Sequence, residues 1–219
     1  MKIRLTRRRR PRLARSKPWR FAERAFLVFG LLLLGFAIST YVARYFYQGY
    51  QTWKFDRDLS LRRNVPPVPP PPNVAVQTGS LIGKIGIQRL GISAVVKEGV
   101  DDATLGLAVG HIPSTALPGQ TGNVGVAAHR DTLFRNLKDV KRDDEITVTT
   151  LDGEYLYRVD WFHVVNPTDV HVLDSTAGES TLTLVTCYPF YFVGHAPKRF
   201  IVRARQVANL SRPAQFQGL

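Results

Sequence analysis

"EITVTTLDGEYLYRVDWFHVV", residues 145–165, decides the fold class. Polar and aliphatic or aromatic residues alternate on both sides of its centre, the period of two that belongs to strands and not the 3.6 of a helix. Between the runs "LDGE" (151–154) carries Asp-Gly, the pair that suits a type I′ bend, so the stretch reads as a β-hairpin. Working outward, "LIGKIGI" (81–87), "ISAVV" (92–96), "NVGVAA" (123–128), "TLTLVTC" (181–187) and "RFIVRARQ" (199–206) repeat the texture between Gly, Pro, Asn and Asp punctuation. "DDATLGLAVG" (101–110) predicts one short helix opened by an Asp cap, and "DTLFRNLKDV" (131–140) a turn or short helix. "KRDDE" (141–145) reads as a solvated turn. Seven or eight strands between Val76 and Val207 predict an all-β barrel or sandwich.

The 219-residue chain has more than this domain, and its net charge of +13 is unevenly spread. Up to Arg24 there are eleven Lys/Arg against Glu23 alone, so ten of those charges lie in the first 24 residues. A nucleic-acid binder would show its basic face within the folded domain, and none is expected as partner here. The basic arm (1–24) precedes "AFLVFGLLLLGFAISTYVA" (25–43), nineteen uncharged residues long enough for a helix of about 28 Å. With "YFYQGYQTW" behind it suiting a membrane–water boundary, this stretch reads as an uncleaved single-pass transmembrane anchor, a cleaved signal peptide being the alternative. The positive-inside rule then puts the arm in the cytoplasm and the rest outside it. Residues 44–75 form a juxtamembrane and Pro-rich linker, in which "PPVPPPP" (66–72) predicts an extended spacer of about 20 Å. A β-domain at 76–207 and a tail at 208–219 complete the plan.

"TLTLVTCYPF" (181–190) holds the only cysteine, Cys187, at the end of a strand. No disulfide can form within the chain. A lone thiol is a buried apolar group or a nucleophile, and the latter needs a base or cation beside it. Of five histidines, His129, where "GNVGVAAHRDTLF" turns from apolar to polar, and His195, in the loop "FVGHAPKR", are the candidates by placement. His111 lies in a loop, while His163 and His171 read as ordinary half-buried or solvated residues. Arg199 opens the strand that follows Cys187 by twelve residues, so an antiparallel return would bring the two to one rim. A guanidinium there can donate to an oxyanion. Arg203 and Arg205 read as solvated strand-face arginines.

These residues resemble the sortases, membrane-anchored cysteine transpeptidases of bacterial surfaces. "TLVTC" (183–187) is similar to the T-L-x-T-C signature, "GNVGVAAHRDTLFRNL" to the segment with the family's histidine, and "KRFIVRA" to the segment with its arginine. "GHIPSTALPG" stands in its expected place upstream, and "TCYPFYFVGHAPKRFIVRA" looks most like class D. Ala128 departs from the glycine that often precedes the histidine, a small backbone change.

The resemblance implies an eight-stranded β-barrel with short helices behind the anchor and linker, and catalytic roles for Cys187, His129 and Arg199. Thr183 and Thr186 would help shape the substrate pocket, with His195 on the rim. The implied partners are proteins bearing a C-terminal Leu-Pro-x-Thr-Gly/Ala-like sorting signal, cut after Thr, and an amine on a cell-wall precursor or pilin. No cofactor or metal is expected; some members bind calcium through loop acids, which leaves calcium an open alternative. The rival readings are a tethered endopeptidase with water as acceptor and a non-enzymatic β-domain that only binds. An L,D-transpeptidase would need a His-Gly-Cys-Arg-like motif, which "LVTCYP" lacks.

Overall fold

The computed structural model describes residues 17–61, 76–192 and 194–210. The Pro-rich run 66–72, most of the basic arm and the end of the tail lie outside the described residues. Two compact units are present, Met1–Tyr45 and Phe46–Leu219.

In the first unit runs most of helix α1 (Lys17–Leu61). Within it Trp19–Ser39 is long and apolar enough to cross a membrane, with mean hydropathy 2.0 and none of it buried. That span starts six residues before the stretch expected from charge counting alone.

The second unit contains a closed barrel. Its strands are β1 (Leu81–Ile87), β2 (Ile92–Glu98), β3 (Val109–His111), β4 (Gly122–Ala127), β5 (Glu145–Thr150), β6 (Glu154–Val165), β7 (Ser180–Tyr188) and β8 (Lys198–Asn209). Around the barrel the order is β1-β2-β3-β4-β7-β8-β6-β5. Pairing is antiparallel except at β2·β3 and β4·β7. Alternation sends Ile85, Val96, Val124, Val126, Ile146, Val148, Tyr157, Leu182, Leu184 and Val202 into one buried core. The other face of β4, β7 and β8 then carries Asn123, Thr183, Val185, Cys187, Arg199 and Arg203.

Helix α2 (Asp102–Leu107) starts as expected: the Asp101 carboxylate accepts from Thr104 N–H at 3.0 Å. The expected turn at 131–140 is a 3₁₀ helix, Arg135–Asp139. Four expectations need correction. β3 falls where the sequence reads as helix end and loop, because three residues carry too little pattern to show. The 151–153 bend is not type I′, since neither Asp152 nor Gly153 has positive φ. Thr150 closes it instead: its Oγ1 accepts from the N–H of Asp152 (3.2 Å) and Gly153 (3.1 Å). The "KRDDE" turn is not wholly solvated, for Asp144 is 7% exposed and its carboxylate takes a forked pair of bonds from Arg89. β8 runs on to Asn209, into the expected tail.

Beyond the apolar span α1 continues through residues 44–61 of the juxtamembrane stretch, and its end packs on the barrel. From Phe46 it belongs to the barrel's unit. The Gln48 side chain accepts from Val95 N–H (3.2 Å) and donates to Leu107 O (2.5 Å), which answers a strand amide and a helix-end carbonyl. Lys97 donates to Tyr47 Oη at 3.0 Å and Lys84 pairs with Asp56 at 2.9 Å. Phe55 is 1% exposed.

Two outcomes follow from this packing. Phe55→Ala should lower unfolding stability by about 3 kcal/mol or more, measured by denaturant titration of the detergent-solubilised chain. The Arg89 bond holds the Asp144 carboxyl below its ordinary range, with the Lys141 N–H adding to it and burial opposing. A lowered carboxylate stabilises the fold above its unfolded value of about 3.9 and loses that contribution as pH falls through the folded one. Asp144→Asn should therefore be less stable than wild type at neutral pH, the gap closing below about pH 4.

Candidate active site

Cys187 is the penultimate residue of β7 and partly exposed. Antiparallel pairing sets it directly opposite Arg199 on β8. On its other side β4 runs parallel, with Ala127 level with Val185. Past the end of β4 the chain stays alongside: Ala128 N–H donates to Val185 O (3.2 Å), and Thr186 Oγ1 donates to Ala128 O (2.7 Å). β4 ends at Ala127, so His129 follows two residues past the last paired position. There the chain turns away, Phe134 N–H closing on His129 O at 3.1 Å. Sulfur, imidazole and guanidinium thus belong to three neighbouring strand ends at one rim of the barrel.

No hydrogen bond or ion pair joins the three side chains. The Arg199 guanidinium turns back on its own connection and donates from Nη1 to Lys198 O (3.0 Å) and Ala196 O (3.3 Å). Catalytic contacts are commonly loose without substrate and tighten on binding.

The remaining predicted residues fall elsewhere. Thr186 is buried, its hydroxyl engaged with Ala128 O as above. Thr183 is fully buried, donating to Asn123 Oδ1 at 2.8 Å. His195 is exposed in the β7–β8 connection. Of the histidines set aside, His163 and His171 are exposed, and His171 pairs with Asp174 at 3.0 Å. Among the described residues no group of three or more His, Cys, Asp and Glu is placed to hold a metal.

Three features escaped the sequence. Arg130, next to His129, donates from Nη2 to Phe192 O (2.7 Å) and Gly194 O (3.1 Å), which fastens the histidine's turn to the loop between Cys187 and Arg199. The "HR" pair was its only signal. Arg203 is not the solvated residue expected: it is half-buried and donates to Val172 O and Thr183 Oγ1. His111 is a buried strand residue and not a loop residue. Its Nδ1 lies 2.7 Å from Glu98 Oε2 across the β2–β3 pair, both side chains buried. Its Nε2 lies 3.0 Å from Ala116 O and 3.1 Å from Thr115 Oγ1. The Thr115 hydroxyl gives its hydrogen to Ile112 O and accepts from Gly125 N–H, so His111 Nε2 must be a donor.

Two connections lie over the outer face of β4. One is the β3–β4 connection, held by His111 and Thr115. The other is the β6–β7 connection, with its 3₁₀ helix Val170–Leu173. They meet over Gly125 on β4, where an added Cβ would stand 3.0 Å from Thr115, 3.2 Å from Ile112 and 3.2 Å from Leu173.

Residues 85–207 match the family model described as Sortase domain. The chain is 30% identical over 131 residues to Sortase D of Bacillus subtilis (strain 168), covering 60% of this chain and 66% of that one. It is 29% identical over 132 residues to Sortase A of Streptococcus agalactiae serotype III (strain NEM316), covering 57% and 52%. The match thus spans between half and two thirds of these curated relatives. Among solved structures, the Sortase D5 transpeptidase of Clostridium perfringens superposes with a TM-score of 0.56 at 33% identity, covering 61% of this chain and 83% of that one. Sortase C-1 of Actinomyces oris gives 0.54 at 30%, covering 57% and 73%.

The seam over Gly125 is testable without any assumption about chemistry. Gly125→Ala should cost about 1–3 kcal/mol in thermal or denaturant unfolding, since all three contacts come from connections that must shift.

Proposed function

The chain belongs to the sortase family, and from that premise we propose that it is a membrane-anchored cysteine transpeptidase with Cys187, His129 and Arg199 as its catalytic residues. The observation that supports the assignment is the register: Cys187 stands opposite Arg199, and β4, which leads into His129, runs parallel on the other flank of β7. Cys187 as thiolate attacks the carbonyl carbon of the sorting signal's threonine. Electrons move onto the carbonyl oxygen, and Arg199, swung off its loop carbonyls, donates to that oxyanion. Collapse of the intermediate breaks the peptide C–N bond, and His129 supplies the proton the departing amine needs. A thioester on Cys187 remains. An acceptor amine attacks it through a second oxyanion, His129 takes that amine's proton, and the thiolate leaves. Atoms balance: one peptide bond is exchanged for another, with no oxidant or cofactor.

The substrate class is a protein with a C-terminal Leu-Pro-x-Thr-Gly/Ala-like signal, and the acceptor an amine on a cell-wall precursor or pilin. The apolar span Trp19–Ser39 behind a basic arm supports a single-pass anchor with the N-terminus in the cytoplasm and the barrel outside it.

Incubating the chain in detergent micelles with a sorting-signal peptide, with and without an added amine, tests the reading. A ligated product is expected with amine present; cleavage whose products ignore the amine would mean a hydrolase. Cys187→Ala should abolish turnover. His129→Ala and Arg199→Ala should each lower kcat/KM by about 10²–10³-fold with the fold intact by circular dichroism. Retained activity in any of the three removes that residue's role.

A further inference from the structure

Arg203 lies four residues, two outward positions, beyond Arg199 on β8, opposite Thr183 on β7. Its Nη1 donates to Val172 O (3.0 Å) and Thr183 Oγ1 (2.8 Å), and its Nη2 to Asp174 O (3.2 Å). Val172 O also accepts from Asn123 Nδ2 at 3.3 Å. Asn123 Oδ1 in turn accepts the hydroxyls of Thr183 (2.8 Å) and Thr181 (3.2 Å). Asn123, Thr181 and Thr183 are all buried. Side chains from β4, β7 and β8 therefore converge on main-chain carbonyls of one loop. That loop holds little internal structure, its 3₁₀ helix being four residues long. Its position depends on donors from outside it.

Burial pushes the Arg203 guanidinium below its usual range, offset by Glu179, Asp160 and Asp174. A planar fork can serve two carbonyls and a hydroxyl at once, whereas an ammonium is a single point donor. Arg205, on the same face, contrasts: it is exposed, and among the described residues it pairs with Asp160 at 3.2 Å.

We propose that Arg203 is a positioning residue that clamps the Val172–Asp174 stretch onto the strands and so fixes the loop that lies along the outer face of β7, the face that carries Cys187. It acts on Leu173, which the clamp brackets and which closes over Gly125 against Ile112. Cys187 is four residues from Thr183 along β7, about 13 Å at ~3.3 Å per residue, so Arg203 bears on how the acyl-donor peptide is held and not on bond breaking. This rests on the transpeptidase reading above.

The test compares full-length wild type, Arg203→Met, Arg203→Lys and Arg205→Met in detergent micelles. Steady-state kinetics use a sorting-signal peptide at saturating amine, and hydrogen exchange reads residues 168–179. Arg203→Met should raise the peptide KM about tenfold while kcat stays within about threefold, and amides of the loop should exchange faster. Arg203→Lys should fall between, and Arg205→Met should match wild type. An unchanged KM, a loss confined to kcat, or unchanged exchange in Arg203→Met overturns the clamp. If Arg203→Met does not fold, Arg203→Lys decides by the same readings. A wild type that turns over no peptide defeats the transpeptidase reading, and loop exchange then still decides whether the clamp exists.

Discussion

The pairing of β7 with both β4 and β8 is the constraint on which the rest depends. A strand hydrogen-bonded on both edges has its register fixed along its whole length, and a slip by one residue would turn Leu182 and Leu184 out of the core. The same pairing that buries those leucines puts Cys187 on the opposite face, level with Arg199 on β8. The facing of the cysteine is thus a by-product of core packing: it looks outward because Leu184 and Leu182, three and five positions away, must be inside.

Polar groups on the outer face do a different job. The barrel wall itself is satisfied by ladder bonds, but the two long connections beside Cys187 are held by buried side chains. Asn123 and Arg203 bind one, and the His111–Glu98 pair with Thr115 binds the other. Buried polar groups of this kind are costly when half-satisfied and specifying when complete. Here each donor has an acceptor, so each connection has one position of lowest energy. The arrangement leaves the sulfur's surroundings defined while the Arg199 guanidinium, bonded only to loop carbonyls, stays free to change partners.

Much of the fold was legible because it rests on periodicity. "LIGKIGI", "EITVTT" and "EYLYRVDWFHVV" coincide with β1, β5 and β6, and the Asp101 cap with the start of α2. The neighbourhood of Cys187 and Arg199 was legible too, since a twelve-residue return between antiparallel strands leaves few other placements. What the pattern could not carry was anything decided by a partner far along the chain. Arg203 alternates like a surface residue, and only the loop laid over it by residues 170–175 makes it interior. Asp144 reads as one acid in a charged turn until Arg89, 55 positions earlier, reaches it. His111 sits among Gly and Pro, where composition says loop, yet a parallel neighbour makes it a strand. The β5–β6 bend went wrong for a local reason: Asp-Gly permits a positive-φ turn, but the Thr150 hydroxyl offers the backbone a better bond.

The packing of Tyr47, Gln48 and Phe55 on the barrel's strands makes the end of α1 part of that unit and not an appendage to it. A fragment that began after Leu61 would lack the acceptor for Val95 N–H and a buried aromatic ring. Where the barrel is cut away from its apolar span, the severed form therefore has to retain Phe46–Leu61 to keep its full stability.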